Sequence, residues 1–143
     1  MSESGKSPSV LLAHVHVACK RTIFFIEGMK KGEFLRDERT QHAVAMALLT
    51  VGEAVTRILR DHEQFAAEHP ELELHKVKGM RNRIAHGYFE LDFDVVWSTA
   101  NDVLPVFLER VDAVLEKIAP HQCLLCMKNP CECGNGPDGA PKF

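Results

Sequence analysis

The segment GMRNRIAHGYF, residues 79–89, sets Arg81, Asn82, Arg83, His86 and Tyr88 within eight residues. Together these side chains could cut RNA. The substrate carries its own nucleophile, the 2′-hydroxyl. A histidine with a pKa near 6.5 can remove or supply a proton at neutral pH. An arginine can grip a phosphate with two parallel N–H donors and offset the extra charge of the pentacoordinate transition state. No metal and no cofactor is needed for that chemistry. No group of carboxylates at metal-binding spacing lies near the motif.

The charge around the motif is segregated. Between Leu74 and Phe89 there is no acidic residue, whereas Lys76, Lys78, Arg81 and Arg83 give the window a formal +4. The whole chain carries −3, so the remainder carries −7. A phosphate site has this electrostatic footprint. A solvated helix face beside acidic neighbours has it too. Helical geometry narrows the choice. Residues advance about 100° each, so Asn82 and His86 share a face one turn apart, and Arg81 sits beside Lys78. Arg81 and His86 diverge by roughly 140°, too wide for one flat surface but accessible to a groove. The candidate phosphate-binding or orienting residues are therefore Asn82, Lys78 and Arg83, beside Arg81 and His86.

The rest of the chain must hold this helix in place, and its hydrophobic period is helical throughout. Ser7 and Pro8 read as a cap and first position. Leu12, Val15, Cys19, Thr22, Ile23, Ile26 and Met29 follow at three- and four-residue steps, with an end near Gly28 and Gly32. A second helix is expected over 36–61, with Val44, Leu48, Val51, Val55 and Ile58 on one face. A third is expected over 74–86, ending at Gly87. Asp92 caps a fourth, whose stripe is Val96, Val103, Phe107, Val111, Val114 and Ile118. Pro105 should kink or break it. The fold class is all-α, an antiparallel four-helix bundle with a kinked last helix. Residues 1–120 form the bundle, and a Cys-, Gly- and Pro-rich tail follows over 121–143.

Composition narrows the function classes. The 143 residues are 45% apolar, ordinary for one globular domain. A pI near 6.2 argues against nucleic-acid binding through global charge, though not through a local patch. No unbroken run of 18 apolar residues and no secretory leader are evident, so the expected setting is the cytoplasm, away from membranes. GKS at 5–7 lacks the strand and glycine of a phosphate loop.

The spacing Arg81–His86–Tyr88, read as RxxxxHxY, resembles the signature of HepT-like toxin ribonucleases in the HEPN superfamily. The similarity extends to FLRDERTQHAVAMALLTVGEA at 34–54, KGMRNRIAHGYFELDFDVVW at 78–97 and NDVLPVF at 101–107. It covers about residues 9–118. The resemblance implies a homodimer whose arginines and histidines face a shared cleft, with Arg81 and His86 catalytic. It implies a metal-independent RNase toxin of a type II toxin–antitoxin system. It also implies an MNT-type (MntA-like) nucleotidyltransferase antitoxin that AMPylates Tyr88. The alternative is a non-catalytic bundle that only presents Tyr88 to such a transferase. A metal-sensing regulator acting through the tail is a third reading.

Some residues have two readings. Arg81 could simply pair with Glu53, and Glu53 could instead pair with Arg57 one turn on. His86 could cap or pack a helix end. Trp97 and Tyr88 could stack on bases, though Trp97 suits the core better. In the tail, Cys123, Cys126, Cys131 and Cys133 could hold a structural zinc, with His121 as a substitute ligand. They could equally remain free thiols, a reading that comes before disulfides in a chain without a secretory leader.

Overall fold

The computed structural model describes residues 6–118. The four cysteines proposed as zinc ligands, Cys123, Cys126, Cys131 and Cys133, lie outside the described residues, as do His121 and the tail.

Helix α1 spans Pro8–Ile26. The Ser7 hydroxyl accepts the Val10 N–H at 3.3 Å, and Pro8 opens the helix where a missing N–H costs nothing. Gly28, at φ +78°, turns the chain away after the helix ends. A short helix α2, Lys31–Phe34, drops Phe34 into the core against Trp97, with ring centres 5.4 Å apart. Helix α3 then runs Glu38–Asp61. It starts two residues later than expected because the Asp37 carboxylate caps it, accepting the Thr40 N–H at 3.2 Å. Gln41 donates its amide to the Phe34 carbonyl and pins α2 to α3.

Helix α4, Glu63–Glu68, and a tight turn at Pro70–Leu72 lead to α5, Leu74–His86, which matches the expected third helix. Its N-terminal corner is strained. Glu73 adopts φ +49°, an uncommon conformation for a side chain with a Cβ. Arg110 holds that corner from the last helix, donating to the Glu71 carbonyl and the Glu73 carboxylate, each at 3.2 Å. At the other end Gly87 has φ −127°, so left-handed freedom is not what the position uses. A Cβ there would stand 3.0 Å from the Arg83 carbonyl oxygen.

The last helix is broken as Pro105 demands, but the break comes ahead of the proline. Helix α6, Phe93–Ser98, is capped by Asp92 and passes into a π turn at Thr99–Val103, from which α7 continues over Leu104–Ile118. The Leu104 N–H reaches back to Thr99. One extra residue in the turn places Pro105 at the start of a new helix, where its missing N–H does little harm. The same insertion rotates the expected stripe. Val96, Phe107, Val111 and Val114 are buried, but Val103 is 58% exposed and Ile118 also faces outward. Ala100 and Leu104 fill the core instead.

The result is an all-α HEPN-like bundle: α3 packs against both α1 and α5, and α7 packs against α1. His16, buried on α1, bonds Asp112 on α7 at 2.5 Å. Cys19 is buried in the core, and burial pushes its thiol pKa up. By length and composition α1 and α3 could each cross a membrane. Both instead bury their apolar stripes in the bundle, and α3 carries Arg39, Glu53, Arg57 and Arg60 away from the core.

Candidate active site

Helix α5 buries Leu74 and Ile84 and packs the partly buried Val77 and Met80 against the core. Its seat comes from Gly52 on α3. A Cβ at that position would lie 2.1 Å from the Arg81 Cβ and 3.3 Å from its Cα. The two helices therefore meet backbone to side-chain root at Arg81. No other residue type fits there without moving α5.

The Arg81 guanidinium is gripped from two directions. Its Nη2 donates to Glu53 Oε2 at 3.2 Å, and its Nη1 to Asn82 Oδ1 at 3.0 Å. Glu53 does not choose between the two arginines considered from sequence. Its other oxygen lies 3.5 Å from Arg57 Nε. The Arg81 side chain remains 29% exposed, enough to meet a ligand while held in one orientation.

Arg81 and His86 do not line the same groove. Arg81 lies in a groove of about 480 Å³ between α1, α3 and α5, with Lys6, His14, Glu53 and Arg57. His86 opens onto another, of about 610 Å³, between α5 and α6, shared with Asn82, Arg83, Glu90 and Asp92. The roughly 140° divergence of the two directions on α5 is thus realised as two flanks rather than one trough. Asn82 links them, lining the His86 groove while its carbonyl oxygen accepts from Arg81. Arg83 and His86 are exposed, and Lys78 lines neither groove. Tyr88 begins the turn Tyr88–Glu90 immediately after Gly87; its side chain lies outside the described residues. Trp97 is buried in the core.

Sequence reasoning missed the use of Gly52, the shared position of Glu53, and the involvement of His14. VGEA at 51–54 was visible, but only the docking of α5 shows which arginine its glycine admits. His14 sits mid-helix on α1, with nothing local to mark it. Its pKa is lowered, first by burial and then by the charges of Lys6 and Arg57. Among the described residues no group of three or more His, Cys, Asp or Glu is placed to hold a metal.

Residues 15–114 match the family model described as Ribonuclease HepT-like. The chain belongs to that family. A protein of Caldanaerobacter subterraneus subsp. tengcongensis named as an RNase is 26% identical over 112 residues, covering 78% of this chain and 97% of the relative. A Methanocaldococcus jannaschii protein, also named as an RNase, is 29% identical over 96 residues, covering 67% and 77%. A Thermococcus cleftensis protein named as ribonuclease HepT is 37% identical over 73 residues, covering 51% and 64%. No solved structure matches the chain. The HepT-like chain is a ribonuclease of the HEPN type. Arg81, Asn82, His86 and their Glu53 and Gly52 supports all fall inside the matched segment, whereas Lys6 and the cysteine-rich tail fall outside it.

Proposed function

We propose that this ribonuclease is the toxin of a type II toxin–antitoxin pair, acting in the cytoplasm as a metal-independent endoribonuclease. The observation that carries the catalytic assignment is the doubly held Arg81 on the helix that also presents His86. A guanidinium fixed by Glu53 and Asn82 is oriented before substrate arrives, which lowers the cost of charge stabilisation in the transition state. Arg81 holds the scissile phosphate. The 2′-oxygen attacks phosphorus, the bond to the 5′-oxygen breaks, and a 2′,3′-cyclic phosphate forms. One proton leaves the 2′-hydroxyl and one reaches the departing 5′-oxygen, and His86 handles one of these transfers. Asn82 orients Arg81, while Arg83 and Lys78 draw the strand toward α5.

The proposed antitoxin is an MNT-type nucleotidyltransferase. The Tyr88 hydroxyl attacks the α-phosphate of ATP, pyrophosphate leaves, and AMP remains on the tyrosine. Tyr88 follows His86 by two residues, so the adduct puts a bulky nucleotide and a negative charge beside the site where RNA must enter.

The test compares purified wild type, His86→Ala and Arg81→Ala on RNA, together with growth arrest on expression. His86→Ala should lose about 10²–10⁴-fold in cleavage while remaining folded, and it should not arrest growth. Arg81→Ala should lose a comparable amount. Arg81→Lys should rescue poorly, because an ammonium cannot make the planar two-donor contact. Equal toxicity of wild type and His86→Ala at equal soluble levels would remove His86 from catalysis.

A further inference from the structure

We propose that the groove beside Arg81 is a subsite for a second phosphodiester of the RNA strand, next to the one being cut, with Arg57 and His14 as its contacts. This rests on the reading of Arg81 given above and extends it to residues outside the motif.

Four features carry it. First, the lining of the groove is cationic beyond what Arg81 needs. Lys6, Arg57 and Arg81 face one carboxylate, Glu53, leaving a formal +2 with His14 neutral. Second, Glu53 spends one oxygen on each arginine. One carboxylate thus tethers two guanidiniums, and only Arg81 is assigned to the phosphate being cut. Third, Arg57 approaches Glu53 only through Nε, and among the described residues its two outer nitrogens make no hydrogen bond, Asp61 one turn on acting only through its charge. They are donors still unspent. Fourth, His14 is half-buried at the groove wall and makes no hydrogen bond among the described residues. Burial first, and then the positive field of Lys6 and Arg57, lowers its pKa. A neutral imidazole there can donate one N–H to a phosphate or ribose oxygen.

The remaining wall is apolar, formed by Leu11, Met46, Leu49 and Ala85, with Met46 largely exposed. A groove of about 480 Å³ with a cationic end and an apolar wall suits a nucleotide unit better than a bare anion. The segment before α1 is anchored where it is needed. The Lys6 carbonyl accepts from His62 Nε2 at 2.8 Å, which keeps Lys6 at the rim.

The experiment measures binding, so that it does not depend on cleavage. The full chain carrying His86→Ala is titrated against a fluorescein-labelled single-stranded RNA oligonucleotide by anisotropy at several KCl concentrations. Adding Arg57→Gln should weaken binding about tenfold at low salt. It should also reduce the slope of log Kd against log salt by about 0.7, the value for one phosphate contact on a single strand. Arg57→Lys should restore most of the slope, because a charge survives. His14→Gln should give a smaller loss with the slope unchanged. Inorganic phosphate and AMP should displace the oligonucleotide only at far higher concentration. Unchanged affinity and slope in Arg57→Gln, or no RNA binding at all, would overturn the subsite. Equal weakening by Gln and Lys at unchanged slope would also overturn it, making Arg57 a support for Glu53. Displacement by phosphate as readily as by RNA would make it a free-anion site. If Arg57→Gln fails to fold, the Lys and His14 variants still decide. Cleavage by the unmutated chain is scored separately: its absence would sink the catalytic reading and leave the binding result standing.

Discussion

At Arg81 two neighbours on α3 act in different ways. Gly52 makes room for the root of the side chain, and Glu53 holds its tip. Gly52→Ala should therefore do more than an ordinary helix glycine replacement, which would stabilise α3 by raising helix propensity. The added methyl meets Arg81 at the root, where no rotamer change relieves it. The expected outcome is destabilisation of about 1–3 kcal/mol by overpacking, read by urea denaturation, with a loss of cleavage as α5 shifts. A stabilised and fully active variant would mean that α5 can retreat at no cost. Glu53→Gln should leave the fold intact and lower kcat more than it raises KM, because Arg81 loses an orienting charge rather than a binding surface. His14 supplies a pH test. Its folded pKa lies below its ordinary value of 6.5, so the neutral form is favoured by folding. The sign follows: its contribution to stability is present above that value and is lost as pH falls through it. Thermal midpoints should decline as pH falls below the ordinary value of 6.5, and His14→Gln should flatten part of that decline.

Elements whose limits are set by adjacent residues were legible in the sequence. Ser7–Pro8 and Asp92 appear where the capping rules place them, since each is decided within one helical turn, and the 74–86 helix appears where its period places it although its start is held from the last helix by Arg110. Asp37→Ala should cost about 1 kcal/mol of stability, measured by thermal or urea unfolding, with cleavage at saturating RNA unchanged because the start of α3 at Asp37 lines neither groove. What local rules could not give was the register after the break. Pro105 announced a disturbance, but the choice between a bend and an inserted residue depends on how α6 and α7 fit the core. The π turn settled it, exposing Val103 and burying Ala100. The candidate site divides in the same way. Arg81, Asn82 and His86 could be named from spacing. That Arg81 and His86 open onto opposite flanks of α5 could not, because α1, α3 and α6 build those grooves from residues distant in sequence.

For the whole molecule, that separation poses a question the single chain does not answer. If Arg81 grips the phosphate and His86 moves a proton on it, both must reach one phosphorus atom, yet in one chain they line different grooves. A two-fold axis offers a solution, because it can set the Arg81 flank of one protomer against the His86 flank of its partner. Light scattering should then report about twice the 16.0 kDa chain mass. Subunit mixing tests the pairing itself. Arg81→Ala and His86→Ala chains, each inactive alone, are unfolded, mixed in equal amounts and refolded. Half of the dimers are then mixed, and each mixed dimer retains one intact pair if Arg81 acts with the partner's histidine. Activity should return to about a quarter of wild type. If Arg81 and His86 of the same chain act together, no mixed dimer contains a complete pair and activity stays at the background of the parents. A strict monomer with full activity would remove the composite site altogether and require α5 to turn its two faces toward one strand unaided.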